Sequence, residues 1–129
     1  MEFDRDRANV IKEELIENDN RFLAVYVEAK NSCLILLSER EDKLGTMAIA
    51  VPKFTDPLNT TAISSVMVGD RNVISARMFA EQVAVKKGKI AVVSVYLEKV
   101  SEMQAQAYFA HLLDRVLKAE SKAKEAEKI

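Results

Sequence analysis

An α+β fold is what this sequence predicts: a mostly antiparallel sheet of five or six strands with two helices on one of its faces. Three observations carry that prediction. Short runs rich in Val, Ile, Leu, Tyr and Phe follow one another through polar turns, the layout of an antiparallel sheet. One amphipathic run interrupts them before the last strand and a second follows it, so helices and strands do not alternate regularly. The length, 129 residues, is most economically one domain spanning 1–129, large enough to bury a core.

Residues 1–9 are mostly charged and are expected to fray. Val10, Ile11, Leu15 and Ile16 suit either a short helix or a twisted edge strand, and local pattern does not choose between them. Asn18-Asp19-Asn20 signals a turn into a strand over Arg21 to Glu28. Ala29-Lys30-Asn31-Ser32 then connects it as a hairpin to a strand over Cys33 to Ser38. A polar loop, Glu39 to Lys43, leads to a fourth run, Thr46 to Val51, opened by Gly45 and closed by Pro52. Pro57-Leu58-Asn59 turns the chain into a fifth, Thr60 to Val68.

The first helix is the best punctuated element. Ala76, Phe79, Ala80 and Val83 share one helical face, Asp70 or Asn72 can cap the start, and Lys86, Lys87 and Gly88 suit the end. Ile90 to Leu97 is the last strand. Ser101 with Gln104 forms a capping-box signature for a second helix, whose apolar stripe reads Met103, Ala107, Ala110, Leu113 and Leu117, widened by Leu112 and Val116. From Lys118 the sequence has helix formers without an apolar face, so residues 119–129 are expected to be solvated and not held by packing.

Nineteen basic and twenty acidic residues leave a net charge of −1, which argues against nucleic acid as the main partner. The single cysteine, Cys33, excludes an intramolecular disulfide and a cysteine-based zinc site and fits a reducing compartment. The charged start does not read as a signal peptide, and no apolar run approaches the length of a membrane span. A soluble, intracellular protein is expected.

Both parities of the strands are apolar. Phe22, Ala24 and Tyr26 oppose Leu23, Val25 and Val27, and Cys33, Ile35 and Leu37 oppose Leu34 and Leu36. Two helices can cover only one face of such a sheet. The other would expose an apolar patch beyond the roughly 300–600 Å² typical of a monomer. A sheet-on-sheet dimer is therefore expected, its candidate interface being Phe22, Ala24, Tyr26, Ile35, Leu37, Val93, Val95 and Leu97, although the pattern leaves either parity available. The competing reading has residues 1–17 fold back over the face.

Catalytic signals are weak. His111 has Asp114 and Arg115 one turn on, but no motif supplies a nucleophile, and Cys33 opens an apolar strand as an inert cysteine would. The three glycines are too scattered for a phosphate loop, Thr60, Thr61, Ser64 and Ser65 read as edge hydroxyls, and one His with one Cys makes a metal site improbable. No catalytic, metal or cofactor site is expected.

Several stretches, in this order, carry a resemblance: Leu44-Gly45-Thr46-Met47-Ala48-Ile49-Ala50-Val51, Asp56-Pro57-Leu58-Asn59-Thr60-Thr61, Met67-Val68-Gly69-Asp70, Ser75-Ala76-Arg77-Met78-Phe79-Ala80 and Lys89-Ile90-Ala91-Val92-Val93-Ser94-Val95-Tyr96-Leu97. Over roughly Phe22 to Ala119 the chain resembles the small proteasome-assembly chaperones, in particular the proteasome assembly chaperone 4 family and its sister, chaperone 3. The aromatic residue that often ends the family's hairpin strand is absent, Leu36-Leu37-Ser38 standing there. The resemblance implies a non-enzymatic chaperone of the cytoplasm, with the nucleus as a second compartment. It also implies a homodimer or a heterodimer with a sister chaperone, and binding of α-type subunits while the α-ring of the core particle is built. A dimeric interaction scaffold unrelated to the proteasome is the alternative.

Overall fold

The computed structural model describes residues 7–53 and 61–127, so the expected turn at Pro57-Leu58-Asn59 and the fraying of residues 1–6 lie outside the described residues. Six strands form one sheet: β1 (Asn9–Glu17), β2 (Asn20–Glu28), β3 (Ser32–Glu39), β4 (Thr46–Pro52), β5 (Ala62–Val68) and β6 (Ile90–Tyr96). Two helices accompany them, α1 (Val73–Lys87) and α2 (Glu102–Glu127). The order across the sheet is β1-β2-β3-β6-β4-β5, and only the β3–β6 pair is parallel. β5 and β6 both run opposite to β4 and hence alongside each other in direction. Their connection must return the chain to the starting end of the sheet, and α1 makes that crossing.

The ambiguous segment after residue 9 is strand β1, whose pattern of half-buried and exposed residues alternates along most of its length. Asn18 and Asp19 both take positive φ, 49° and 66°, in a two-residue connection that matches the twist of a hairpin. At the next turn, the Ala29 N–H donates to the Ser32 carbonyl at 2.8 Å. β1 therefore extends the sheet sideways and does not fold over it. Its charges fix it to α2 and β2: Arg115 Nη2 lies 2.7 Å from Glu13 Oε1, and Arg21 pairs with Glu14.

The helix signals divide. Gly88 ends α1 in the left-handed region at φ 64°, its N–H donating to the Ala84 carbonyl at 2.9 Å. The start differs from expectation: neither Asp70 nor Asn72 supplies a side-chain cap. Asn72 adopts φ 57° and makes no capping bond, and Glu102 of α2 instead accepts from the Ser75 N–H at 2.7 Å. A carboxylate from another element thus does the work of a local cap. Ser101 does cap α2, its Oγ accepting from the Gln104 N–H at 3.2 Å.

Both helices lie on the same face. α1 buries Ala76, Phe79, Ala80, Val83 and Ala84 over β4, β5 and β6, and α2 covers β1 and β2. Phe22 joins the strands to α2 by stacking on Tyr108 and meeting Phe109 edge-on, with ring centroids 4.9 and 5.6 Å away. The stripe of α2 is rotated from expectation. Ala105, Phe109, Leu112, Leu113, Val116 and Leu117 are buried, whereas Met103, Ala107 and Ala110 are exposed, because the aromatic pair dictates which side meets the sheet.

The link from β6 to α2 is held by Glu39, the last residue of β3. Its fully buried carboxylate accepts the backbone N–H groups of Glu98, Lys99 and Val100 at 2.9, 3.0 and 3.0 Å. Removing it would leave three amides of a partly buried turn without their acceptor. Glu39→Ala is expected to lower unfolding stability by about 3 kcal/mol, read as a lower urea midpoint with an unchanged slope.

Candidate functional site: an uncovered sheet face

Alternation along the strands sorts the sheet residues into two sets. Phe22, Ala24, Tyr26, Ile35, Leu37, Val93 and Val95 are at most 1 % exposed, and Leu97 is half-buried against the same core. All belong to the core beneath α1 and α2, so the candidate interface expected from sequence is corrected here. These side chains are consumed by the chain's own helices and present no surface to a second subunit. The physical reason is size. Ala48, Ala50 and Ala91 share this side, and small side chains on the strands let the alanines of α1 approach closely.

Among the described residues no helix lies over the opposite side. Register places Val25 and Val27 of β2, Leu34 and Leu36 of β3, Val92 of β6, and Met47 and Ile49 of β4 on that side, in adjacent rows. These seven apolar side chains are half-buried by their neighbours along the sheet or, for Leu34, 44 % exposed. Val51 and Ile63 extend the surface at one end of β4 and β5, and Val10 and Ile16 extend it along β1. The central four strands bring one charge to it, Arg21 at the end of β2, which pairs with Glu14 of β1. Ser94 lies among these residues, its Oγ accepting from the Gly45 N–H at 2.8 Å. Tyr96 closes one end with the Lys43 ammonium 5.2 Å from its ring centroid.

Side-chain volume divides the two parities only in part. Small residues at positions 24, 33, 48, 50 and 91 lie on the side where a helix packs, but so do Phe22, Tyr26, Ile35, Leu37, Val93 and Val95.

A second constellation gathers titratable groups at the far end of α1. Lys87 Nζ lies 3.0 Å from both Glu28 Oε1 and Glu120 Oε2, and Lys89 Nζ is 2.6 Å from Glu28 Oε2. The Tyr26 hydroxyl donates to Glu28 at 2.6 Å and lies 3.4 Å from Cys33 Sγ. Burial, with bonds to Cys33 and Glu28, pushes the Tyr26 pKa upward. Burial likewise raises the Cys33 thiol, the opposite of what a nucleophile needs. Burial works against the charge on Lys87, but the two carboxylates outweigh it and hold that pKa above the usual 10.5.

These groups act as a tether. Glu120 lies beyond the apolar stripe yet is fully buried, an exception to the expected lack of packing past Lys118, whereas Ser121 and Lys122 after it are exposed. The signal was a charge, and packing logic passes over charges. His111 is exposed on α2 and Cys33 is buried in β3. Among the described residues no cluster of three or more His, Cys, Asp or Glu could hold a metal ion, and no helix is long and apolar enough to cross a membrane.

A solved yeast structure shares this fold. It is described as a novel chaperone complex for yeast 20S proteasome assembly, and it matches with a TM-score of 0.65 over 91 % of this chain and 98 % of that one. Identity is 12 %, so the likeness is one of fold. No family model and no curated protein matches the sequence.

Two outcomes test the assignment of faces. Ile35→Asp is expected to cost several kcal/mol by burying an unpaired charge and to abolish cooperative unfolding. Leu34→Asp, one residue away, is expected to change stability by about 1 kcal/mol or less while lowering binding of a hydrophobic dye. For the tether, Lys87→Met should cost about 3 kcal/mol in urea unfolding. Because the folded Lys87 pKa is raised, its stabilisation is fully present below pH 10.5 and fades only as pH climbs through the higher folded value. The difference between Lys87→Met and the parent chain should therefore stay flat between about pH 7 and 9.

Proposed function

We propose that this chain is a subunit of a proteasome-assembly chaperone. It pairs with a similar subunit through the open sheet face and binds α-type subunits while the α-ring of the core particle is built. The observation that carries the reading is the fold shared with a yeast chaperone complex for 20S proteasome assembly, in a chain whose described residues cover the sheet on one side only. A scaffold of another kind would need the same face, but only the chaperone reading also draws on the shared fold.

Area supports a stable pair. Six strands at roughly 4.8 Å spacing, each seven to nine residues long at roughly 3.3 Å per residue, give a face of roughly 600–700 Å² in projection. That approaches the roughly 800 Å² per partner of a standard interface. Two such faces would stack about 10 Å apart as a sandwich, with the helices outside. Val92, Leu34 and Ile49 lie in one row across the centre of that contact.

In this reading the work is binding and positioning, without catalysis, metal or cofactor. A subunit that recognises α-type subunits before they close into a ring belongs in the cytoplasm, and in the nucleus where rings are also needed. Capture on purified α-type subunits tests the reading. At least one is expected to be retained by the chain, and cells lacking the chain are expected to accumulate incomplete core particles. Retention of none, with core particles assembling normally, would overturn it. Val92→Asp is expected to weaken pairing with the similar subunit by at least tenfold in sedimentation equilibrium, with an unchanged circular-dichroism spectrum.

A further inference from the structure

The two outer strands of the sheet are dressed differently. β1 carries Lys12, Glu13 and Glu14 in its middle, the kind of charge that discourages an edge from pairing with another strand. β5 has neither charge nor proline: Ala62-Ile63-Ser64-Ser65-Val66-Met67-Val68. Among the described residues no strand lies on its outer side, where alternate backbone N–H and C=O groups point away from β4. An extra residue at Met67 interrupts the ladder with β4 and leaves residues 62–66 in regular register.

Beside this edge, α1 borders an open cleft of about 610 Å³ lined by Thr61, Ala62, Glu81, Gln82, Val85 and Lys86. Ser64 faces α1 from the strand. Its hydroxyl donates to Glu81 and accepts from Arg77 Nε at 3.0 Å, so an acid and a base one helical turn apart bracket a single strand residue.

We infer that the free edge of β5 pairs antiparallel with β5 of a second copy of this chain, about a two-fold axis through Ser64. Only another extended strand carries backbone groups at the spacing this edge requires. The axis sets Ser64 against the partner's Ser64, Ile63 against the partner's Ser65, and Ala62 against the partner's Val66. No like charges meet, and hydroxyls face each other at the centre. On the helix side, the axis turns Arg77 toward the partner's Glu81 and Glu81 toward the partner's Arg77, since both flank Ser64 in each copy. An isologous contact makes that complementary pair twice. Self-complementarity of the rim is what selects a second copy over an unrelated strand. The contact uses the edge of the sheet and leaves the open face for the partner of the proposed function.

Sedimentation equilibrium of the full chain tests this, in the parent and in a Val92→Asp background where association through the face is removed. Edge association is expected to persist in Val92→Asp. Arg77→Glu, which sets acid against acid across the axis, should weaken it at least tenfold, and Arg77→Glu combined with Glu81→Arg should restore it. Amide exchange at residues 62–66 of the unmodified chain should slow as concentration rises, a readout that needs no variant. A strictly monomeric Val92→Asp protein with concentration-independent exchange at those amides overturns the edge pairing and leaves the face reading intact. Association unchanged by Arg77→Glu, or unrecovered by the reversed pair, also overturns it. If Val92→Asp does not alter the association of the parent while Arg77→Glu weakens it, the face reading fails and the edge pairing stands.

Discussion

Burial of one side of the sheet under two helices of the same chain is the constraint from which the other features follow. α1 reaches β4, β5 and β6 because Ala48, Ala50 and Ala91 leave room for Ala76, Ala80 and Ala84. α2 reaches β1 and β2 through Phe109 and Tyr108 against Phe22. Apolar area is removed from water on that side at roughly 25 cal/mol per Å², and it is removed within the monomer. The opposite side receives nothing from the described residues, and its apolar rows are what the fold leaves over.

Charges then do what packing does not. Glu39 ties the turn after β6 to the end of β3, Glu102 caps the start of the neighbouring helix, and the Lys87 cluster holds the distal part of α2. Each is a buried or half-buried carboxylate working across a large sequence separation. Such groups are stable only when paired, so they fix the placement of elements as well as adding to stability. The helices are thereby locked to one side, and what remains for recognition is the opposite face and the bare edge of β5.

A shared fold at 12 % identity speaks to architecture, and the site must be argued from its own residues. Those residues are consistent with association by surface, since the open face has area and low charge but no convergent polar groups. The buried Tyr26, Cys33 and Glu28 are engaged with one another and with lysines, at the end of α1 and away from the uncovered rows.

By itself the sequence determined the elements after Asn18 and their nature, because periodicity, turn residues and caps are local. The Asn18-Asp19 turn, the Gly88 stop, the Ser101 cap and the Ala76-Phe79-Ala80-Val83 face of α1 were all legible. So was the conclusion that two apolar parities exceed what two helices can cover. Only the tertiary structure decided which parity the helices take, that β1 is an edge strand and not a cover, and that β6 inserts between β3 and β4. Those outcomes depend on volumes and charges brought together from distant parts of the chain, as when Glu102 caps Ser75 or Lys87 buries Glu120. A hydropathy pattern records that a side chain avoids water; it does not record which neighbour will shelter it.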